Sequence, residues 1–257
     1  MHLTVLGCSG SAPGPNAAAS GYLVEAGDLR VALDLGNGTL AAMQARMDPF
    51  LLDALLLSHL HPDHCADFSA LTVLRRYTPK PARDPHDFPL PVYGPTETQS
   101  RLVAAYAPDA AERATTDLSD IYDFRRLGIG PVTVGPLDIR SIRVAHPCES
   151  YGLRLTADGR TLAYTGDTGV CPAMVELAAG ADLLLAEASW THDPGNRPVG
   201  LHLSGREAGE MAAAAGVSRL MLTHVPPWTD PGAVLAEARS AYAGEVLLAR
   251  AGASYPL

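Results

Sequence analysis

The chain is short of positive charge: 19 lysines and arginines stand against 28 aspartates and glutamates, a formal net charge of −9 at neutral pH. A surface of that sign is wrong for holding many phosphates by counterion release, which speaks against long nucleic acid as a partner. A single small anion is a different matter, because buried divalent cations attract it whatever the net surface charge. Long apolar runs are also missing, and no stretch approaches membrane-spanning length. The N-terminus shows no basic segment followed by an apolar stretch and a cleavage site; Met1 to Leu6 reads as a strand. Cysteine is sparse, with Cys8, Cys65, Cys148 and Cys171 scattered and no CxxC pair or dense framework among them. Such thiols suit a reducing cytoplasm, where we expect this protein to reside. Cys65 and Cys148 sit beside histidine motifs, and we read them as small buried fillers because other ligands suffice.

What is present is enough to bury a full core: 257 residues, 47% of them hydrophobic. We expect one domain over residues 1–257. His2 to Leu6, Tyr22 to Glu25, Arg30 to Leu35 and Ala54 to Leu57 read as successive strands between glycine-rich turns. Phe68, Leu71, Leu74 and Tyr77 mark one face of a helix, Pro79 to Pro91 an exposed loop, and Thr96 to Ala107 another helix. Strands return from Leu137, with Gly152 to Thr156 and Thr161 to Thr165 as a hairpin around Asp158-Gly159. Helices at Pro172 to Ala179, Gly205 to Ala215 and Gly232 to Tyr242 then alternate with strands at Leu183 to Ala186, Leu220 to Thr223 and Val246 to Leu248. Two strand-rich segments, each followed by helices, imply two sheets packed between helical layers.

The strongest chemical signal is Ser58-His59-Leu60-His61-Pro62-Asp63-His64, directly after an apolar strand. Histidine and carboxylate are donors that zinc and related divalent ions accept, and four of them crowd into six residues. Surface histidines on a solvated loop would gain nothing from that crowding. One short segment cannot enclose two ions. His146, Asp167 (in Tyr164-Thr165-Gly166-Asp167-Thr168) and His224 each follow an apolar strand closely, where a sheet edge presents residues to a common cleft. Taken singly, each would more often be a cap or a core residue.

HxHxDH, a later His, a Gly-Asp and a last His together resemble the metallo-β-lactamase superfamily over nearly the whole chain. The resemblance implies an α/β αββα sandwich with two mixed sheets between helical layers. It further implies one divalent ion on His59, His61 and His146 and a second on Asp63, His64 and His224, with Asp167 bridging them. A hydroxide between the ions would be the nucleophile. Zinc is the expected metal, with manganese and iron as alternatives that such donor sets also accept.

His146-Pro147-Cys148-Glu149-Ser150-Tyr151-Gly152-Leu153-Arg154 resembles the ribonuclease Z group, in which the third histidine leads into a Gly-aromatic-Arg strand; here Leu153 replaces the aromatic. Leu6-Gly7-Cys8-Ser9-Gly10-Ser11 and Asp34-Leu35-Gly36-Asn37-Gly38-Thr39 resemble that group's N-terminal turn and its DxGEGT stretch, with Asn37 in place of the acidic residue. Asp34, Gly36 and Gly38 read equally well as a helix-side cap and two turn residues. Glu187-Ala188-Ser189 resembles the HEAT-like motif and His202-Leu203-Ser204 the HST motif. Ser204-Gly205-Arg206-Glu207 is a capping box, so His202 stands just before a helix N-terminus, where an anion is favoured. There an imidazole can protonate a leaving oxygen or steady an oxyanion, and the resemblance assigns this to His202, with Glu187 holding the ring. His2, His86 and His192 read as solvated loop histidines.

The tRNA-processing members carry a long arm between the third histidine and the bridging aspartate, whereas here a single hairpin joins His146 to Asp167. With the acidic balance, this favours a small phosphodiester, a cyclic nucleotide such as cAMP, as substrate. The alternatives are a ribonuclease Z-like endoribonuclease, a thioesterase or lactonase, and a non-catalytic scaffold. The absence of an HTPGHT-like stretch disfavours the esterases, and the complete donor set disfavours the scaffold. Relatives of this kind are often homodimers, which makes a dimer the expectation from resemblance.

Overall fold

The segment Leu183–Glu187 is apolar at both alternating positions, and only a strand covered on both faces suits such a run. In the computed structural model, which describes residues 1–193 and 195–257, Leu183 and Leu185 pack between two sheets. Leu184 and Ala186 point the other way, into a layer of helices. This period of two sorts the whole core. Leu3, Val5, Val31 and Leu33 meet Leu153, Leu155, Leu162 and Met221 between the sheets. Ala32, Leu55 and Leu57 face outward onto Met43, Phe68, Leu71 and Leu102. The result is an αββα sandwich.

Its strands are β1 (His2–Gly7), β2 (Gly21–Ala26), β3 (Leu29–Leu33), β4 (Ala54–Leu56), β5 (Leu90–Gly94), β6 (Tyr122–Arg126), β7 (Val132–Val134), β8 (Leu137–Arg143), β9 (Tyr151–Ala157), β10 (Arg160–Tyr164), β11 (Leu183–Glu187), β12 (Arg219–Thr223), β13 (Glu245–Leu248) and β14 (Ser254–Pro256). They form two seven-stranded sheets, ordered β14-β1-β2-β3-β4-β5-β6 and β13-β12-β11-β10-β9-β8-β7. Both are mixed. β3 through β6 pair in parallel, as do β10 through β13, while the remaining ladders are antiparallel. Helices α1 (Thr39–Gln44), α2 (Pro62–Cys65), α3 (Phe68–Tyr77), α4 (Thr98–Tyr106) and α5 (Ala110–Thr115) belong to the first half of the chain, and α6 (Pro172–Ala178), α7 (Gly205–Ala215) and α8 (Pro231–Ala241) to the second.

The expected strands and long helices are present, with boundaries shifted by a residue or two, while several short elements go beyond the pattern reading. Leu90 opens β5 one residue before the expected proline-rich loop ends. β6 carries YDFRR, too polar to show as a buried strand, and β7 and β14 are three-residue edge pieces. The histidine stretch, read as following a strand, closes into α2 with Pro62 at its first turn, where a missing N–H costs nothing. Among the described residues, no helix is long and apolar enough to cross a membrane.

Candidate active site

Five strand ends converge at one edge of the sandwich. β4 leads into Ser58 and His59, β8 toward His146, β10 toward Asp167, β11 ends on Glu187, and β12 leads into His224. His61 is extended (φ −66°, ψ 147°), and the turn at Pro62 redirects the chain so that Asp63 and His64 join a different group. Three sets of donor atoms result, each within 4.8 Å of one another: His59, His61, His146 and Cys148; Asp63, His64, Asp167 and His224; and Glu187, His202 and His224. Every site residue expected from the sequence is therefore brought to this edge. Cys148, read as a filler, proves to stand within ligand reach of the first set.

One device orients most of these rings: an acceptor holds Nδ1–H and leaves Nε2 facing its neighbours. His64 Nδ1 donates to Asp34 Oδ2 at 2.8 Å, His146 Nδ1 to the Leu201 carbonyl at 2.9 Å, and His202 Nδ1 to Glu187 Oε1 at 3.0 Å. Ser58 Oγ donates to Asp34 Oδ2 at 2.8 Å and so has a lone pair for His59 Nδ1 at 3.1 Å. Ser189 Oγ likewise donates to Glu187 Oε2 at 2.8 Å and accepts from His224 Nδ1 at 2.9 Å. Such partners fix the tautomer and make the free nitrogen a better ligand. His61 is the exception, turning Nδ1 inward to within 3.1 Å of His59 Nε2 and 3.3 Å of His146 Nε2.

The donor set fits divalent cations. Nitrogens left without protons meet at close range, His64 Nε2 lying 3.2 Å from His224 Nε2, a repulsive arrangement unless positive charge lies between them. Asp167 is 2% exposed, and its Oδ1 accepts no well-directed hydrogen bond although His64 Nε2 is only 3.2 Å away. Its Oδ2 lies 3.7 Å from His59 Nε2 and 3.4 Å from His224 Nε2, so this carboxylate faces both ligand sets. Burial opposes the His64 cation, yet Asp167 and Asp34 outweigh it and hold the ring well above the ordinary histidine value. Burial, with His64 alongside, pushes His59 well below it. Burial also opposes the charged form of Asp63, but the hydrogen bond from His224 and the charge of His64 keep it below the usual carboxylate range. The carboxylates thus draw positive charge to this spot, as a proton or as a metal ion.

Asp34 corrects the cap reading. It is fully buried and sits at φ 57°, in the left-handed region that few residues other than glycine adopt. Its carboxylate collects Ser58 N–H, Ser58 Oγ–H, Tyr164 O–H and His64 Nδ1–H at 2.7 to 2.8 Å. Gly36 is more than a turn residue: a Cβ there would lie 1.9 Å from the Asp63 carbonyl oxygen. Ser189, quoted only as part of a motif, links Glu187 to His224. His192 is half-buried against Ser204 Oγ at 3.1 Å and is not a solvated loop histidine. His2 and His86 are exposed, as expected.

An αββα sandwich with histidines and aspartates converging at the ends of its strands defines a metallo-hydrolase. The chain belongs to the β-lactamase superfamily: residues 30–225 match the family described as Beta-lactamase superfamily domain. Rv1339 of Mycobacterium tuberculosis is 50% identical over 249 residues, covering 96% of this chain and 88% of that protein. The metallo-hydrolase YhfI of Bacillus subtilis is 31% identical over 98% of both chains, and its crystal structure superposes with a TM-score of 0.84 over 99% of both. A ribonuclease Z from Mycobacterium bovis is 32% identical over 90% of this chain and 88% of that protein. Yeast PDE1, at 13% identity and a TM-score of 0.72 over 100% of this chain and 99% of that one, shares the fold.

Proposed function

We propose that this protein hydrolyses a small phosphodiester, a cyclic nucleotide such as cAMP, with His202 as the group that protonates the leaving oxygen. The observation carrying this reading is the His202–Glu187 pair, 3.0 Å apart beside the two ligand sets. Two divalent ions, one on His59, His61 and His146 and one on Asp63, His64 and His224 with Asp167 between, would neutralise phosphoryl oxygens and make water a nucleophile near neutral pH. Zinc suits these donors, and manganese or iron also accept them.

The protein's own groups supply the rest. Glu187 is fully buried and accepts from Thr168 N–H at 2.6 Å and His202 Nδ1 on one oxygen and from Ser189 Oγ on the other. With both oxygens engaged, it orients the imidazole instead of ligating metal. Burial disfavours the His202 cation, but Glu187 and then Asp167 outweigh it and raise the group to about 9, so it carries a proton at neutral pH. A protonated ring held beside a phosphoryl site is suited to a poor leaving group such as a ribose alkoxide. The relative named ribonuclease Z supports phosphodiester chemistry. The acidic net charge and the single β9–β10 hairpin between His146 and Asp167 favour a small substrate over structured RNA.

The test is turnover by the metal-loaded protein of bis(p-nitrophenyl) phosphate and cAMP against a thioester and a lactone. Phosphodiester hydrolysis exceeding the other two is expected. Preference for the thioester or the lactone would overturn the reading.

A further inference from the structure

Beyond His202 the site continues into a cavity of about 280 Å³ whose other walls the chemistry above does not use. Trp190 and Arg197 form one side, and the Gly169–Val170 turn and His192 form others, with His202 where it joins the metal site. The Arg197 guanidinium carbon lies over the Trp190 ring, 5.1 Å from its centroid. Trp190 also meets the His202 ring edge to face at 5.3 Å. Its carbonyl accepts from Gly205 N–H at 3.2 Å, and the preceding residue, Ser189, donates its N–H to the Leu203 carbonyl at 3.0 Å. At the mouth, Val170 and Val199 are 64% and 102% exposed, apolar surface that water alone does not favour. A larger cavity of about 670 Å³ near Arg140 and Arg154 includes none of the candidate site residues.

We propose that this cavity is the subsite for the nucleobase of the substrate, stacked on the Trp190–Arg197 platform between Val170 and Val199. The inference rests on the phosphodiesterase reading. An indole and a guanidinium are both surfaces on which a heteroaromatic ring stacks whatever its identity. The volume lies near the ~300 Å³ lower end for ligand pockets, suited to one base and not to a run of nucleotides. Position agrees with this. The leaving oxygen of a cyclic phosphodiester stays on the same nucleotide as its base, and His202 lines both the proton-donating position and the cavity. The base of a substrate whose ribose oxygen faces His202 has this pocket next to it.

The experiment uses the zinc-loaded Trp228→Phe protein, in which Trp190 is the one remaining tryptophan, because the chain has two. Adenosine, AMP and ribose 5-phosphate are titrated while Trp190 fluorescence is followed. Adenosine and AMP should quench it saturably and ribose 5-phosphate should not. Arg197→Ala should weaken adenosine binding by about 2- to 30-fold, the range for loss of one cation–π contact. The same change should raise KM for cAMP and lower its kcat/KM far more than that for bis(p-nitrophenyl) phosphate, which has no base. Trp190→Phe should raise KM for cAMP less than Trp190→Ala does. Equal quenching by ribose 5-phosphate, or equal losses on cAMP and bis(p-nitrophenyl) phosphate, would overturn the subsite. Adenosine quenching by a protein that turns over no phosphodiester would support the pocket while removing the reaction assigned beside it.

Discussion

At the scale of single residues, the proposed chemistry concentrates on His202. It lies 3.7 Å from Asp167 and shares a donor group with Glu187 and His224, but its Nδ1 is committed to Glu187, leaving Nε2 for a substrate. His202→Ala should therefore keep full metal content by elemental analysis and lose roughly 10²–10⁴ in turnover of cAMP, the range for a general acid. For bis(p-nitrophenyl) phosphate, whose leaving group needs no proton, the loss should be much smaller. Equal losses would assign the ring to electrostatic stabilisation, and no loss with either would remove it from the reaction. The HxHxDH residues are legible in the sequence because their types and crowding have few other uses, and His202 because it stands before a capping box in an HST-like stretch. Asp34 is not: its four hydrogen bonds come from Ser58, His64 and Tyr164, up to 130 positions away, and no local pattern predicts that meeting. Cys148 is the reverse case, a residue near the motif whose reach toward the ligands depends on where the loop after β8 travels.

Among the elements, α7 bears most directly on the placement of His202, the proposed proton donor. Its capping box is complete, with Ser204 Oγ accepting from Glu207 N–H at 3.2 Å and the Glu207 carboxylate accepting from Ser204 N–H at 2.8 Å. A cap of this kind contributes about 1 kcal/mol, and it fixes the chain two residues after His202. The helix then packs closely on α8. A Cβ on Gly205 would lie 2.1 Å from the Val234 carbonyl oxygen, and one on Gly209 would lie 2.6 Å from that of Ala238. Gly209→Val should accordingly destabilise the protein by about 1–3 kcal/mol of overpacking, read as a lower denaturation midpoint, with turnover per folded molecule retained. An unchanged midpoint would mean that the two helices are not in contact as described. The helix itself is readable from its cap and apolar spacing. Its glycines are not, since an isolated glycine in an alanine-rich helix reads as a weakness until the facing backbone is known.

For the whole molecule, a polar, charged centre is embedded in an apolar frame. His59, His64 and Glu187 are fully buried, and desolvating such groups is costly. The frame offsets this through two sheets and their helical covers, in which each fully buried leucine contributes about 1.5–3 kcal/mol. Asp34, Asp63, Asp167 and Glu187 are buried, as is Arg75, and the charged groups outside remain acidic in sum. Turnover of cAMP should therefore change little between about 50 and 200 mM salt, whereas a protein gripping 6–10 phosphates would lose about 10³–10⁵ in affinity over that interval. Tight RNA binding with such a slope would restore the ribonuclease reading. The amino-acid order by itself determined the αββα class, the metal-type donors and the sign of the surface, because periodicity, residue chemistry and charge are local or additive properties. Tertiary structure alone decided that Asp34 and Ser189 orient the rings, that Cys148 stands within reach of the first donor set, and that Trp190 and Arg197 wall a cavity beside His202. Those facts depend on strand ends brought together by sheet order, and sheet order is settled by packing across the whole chain.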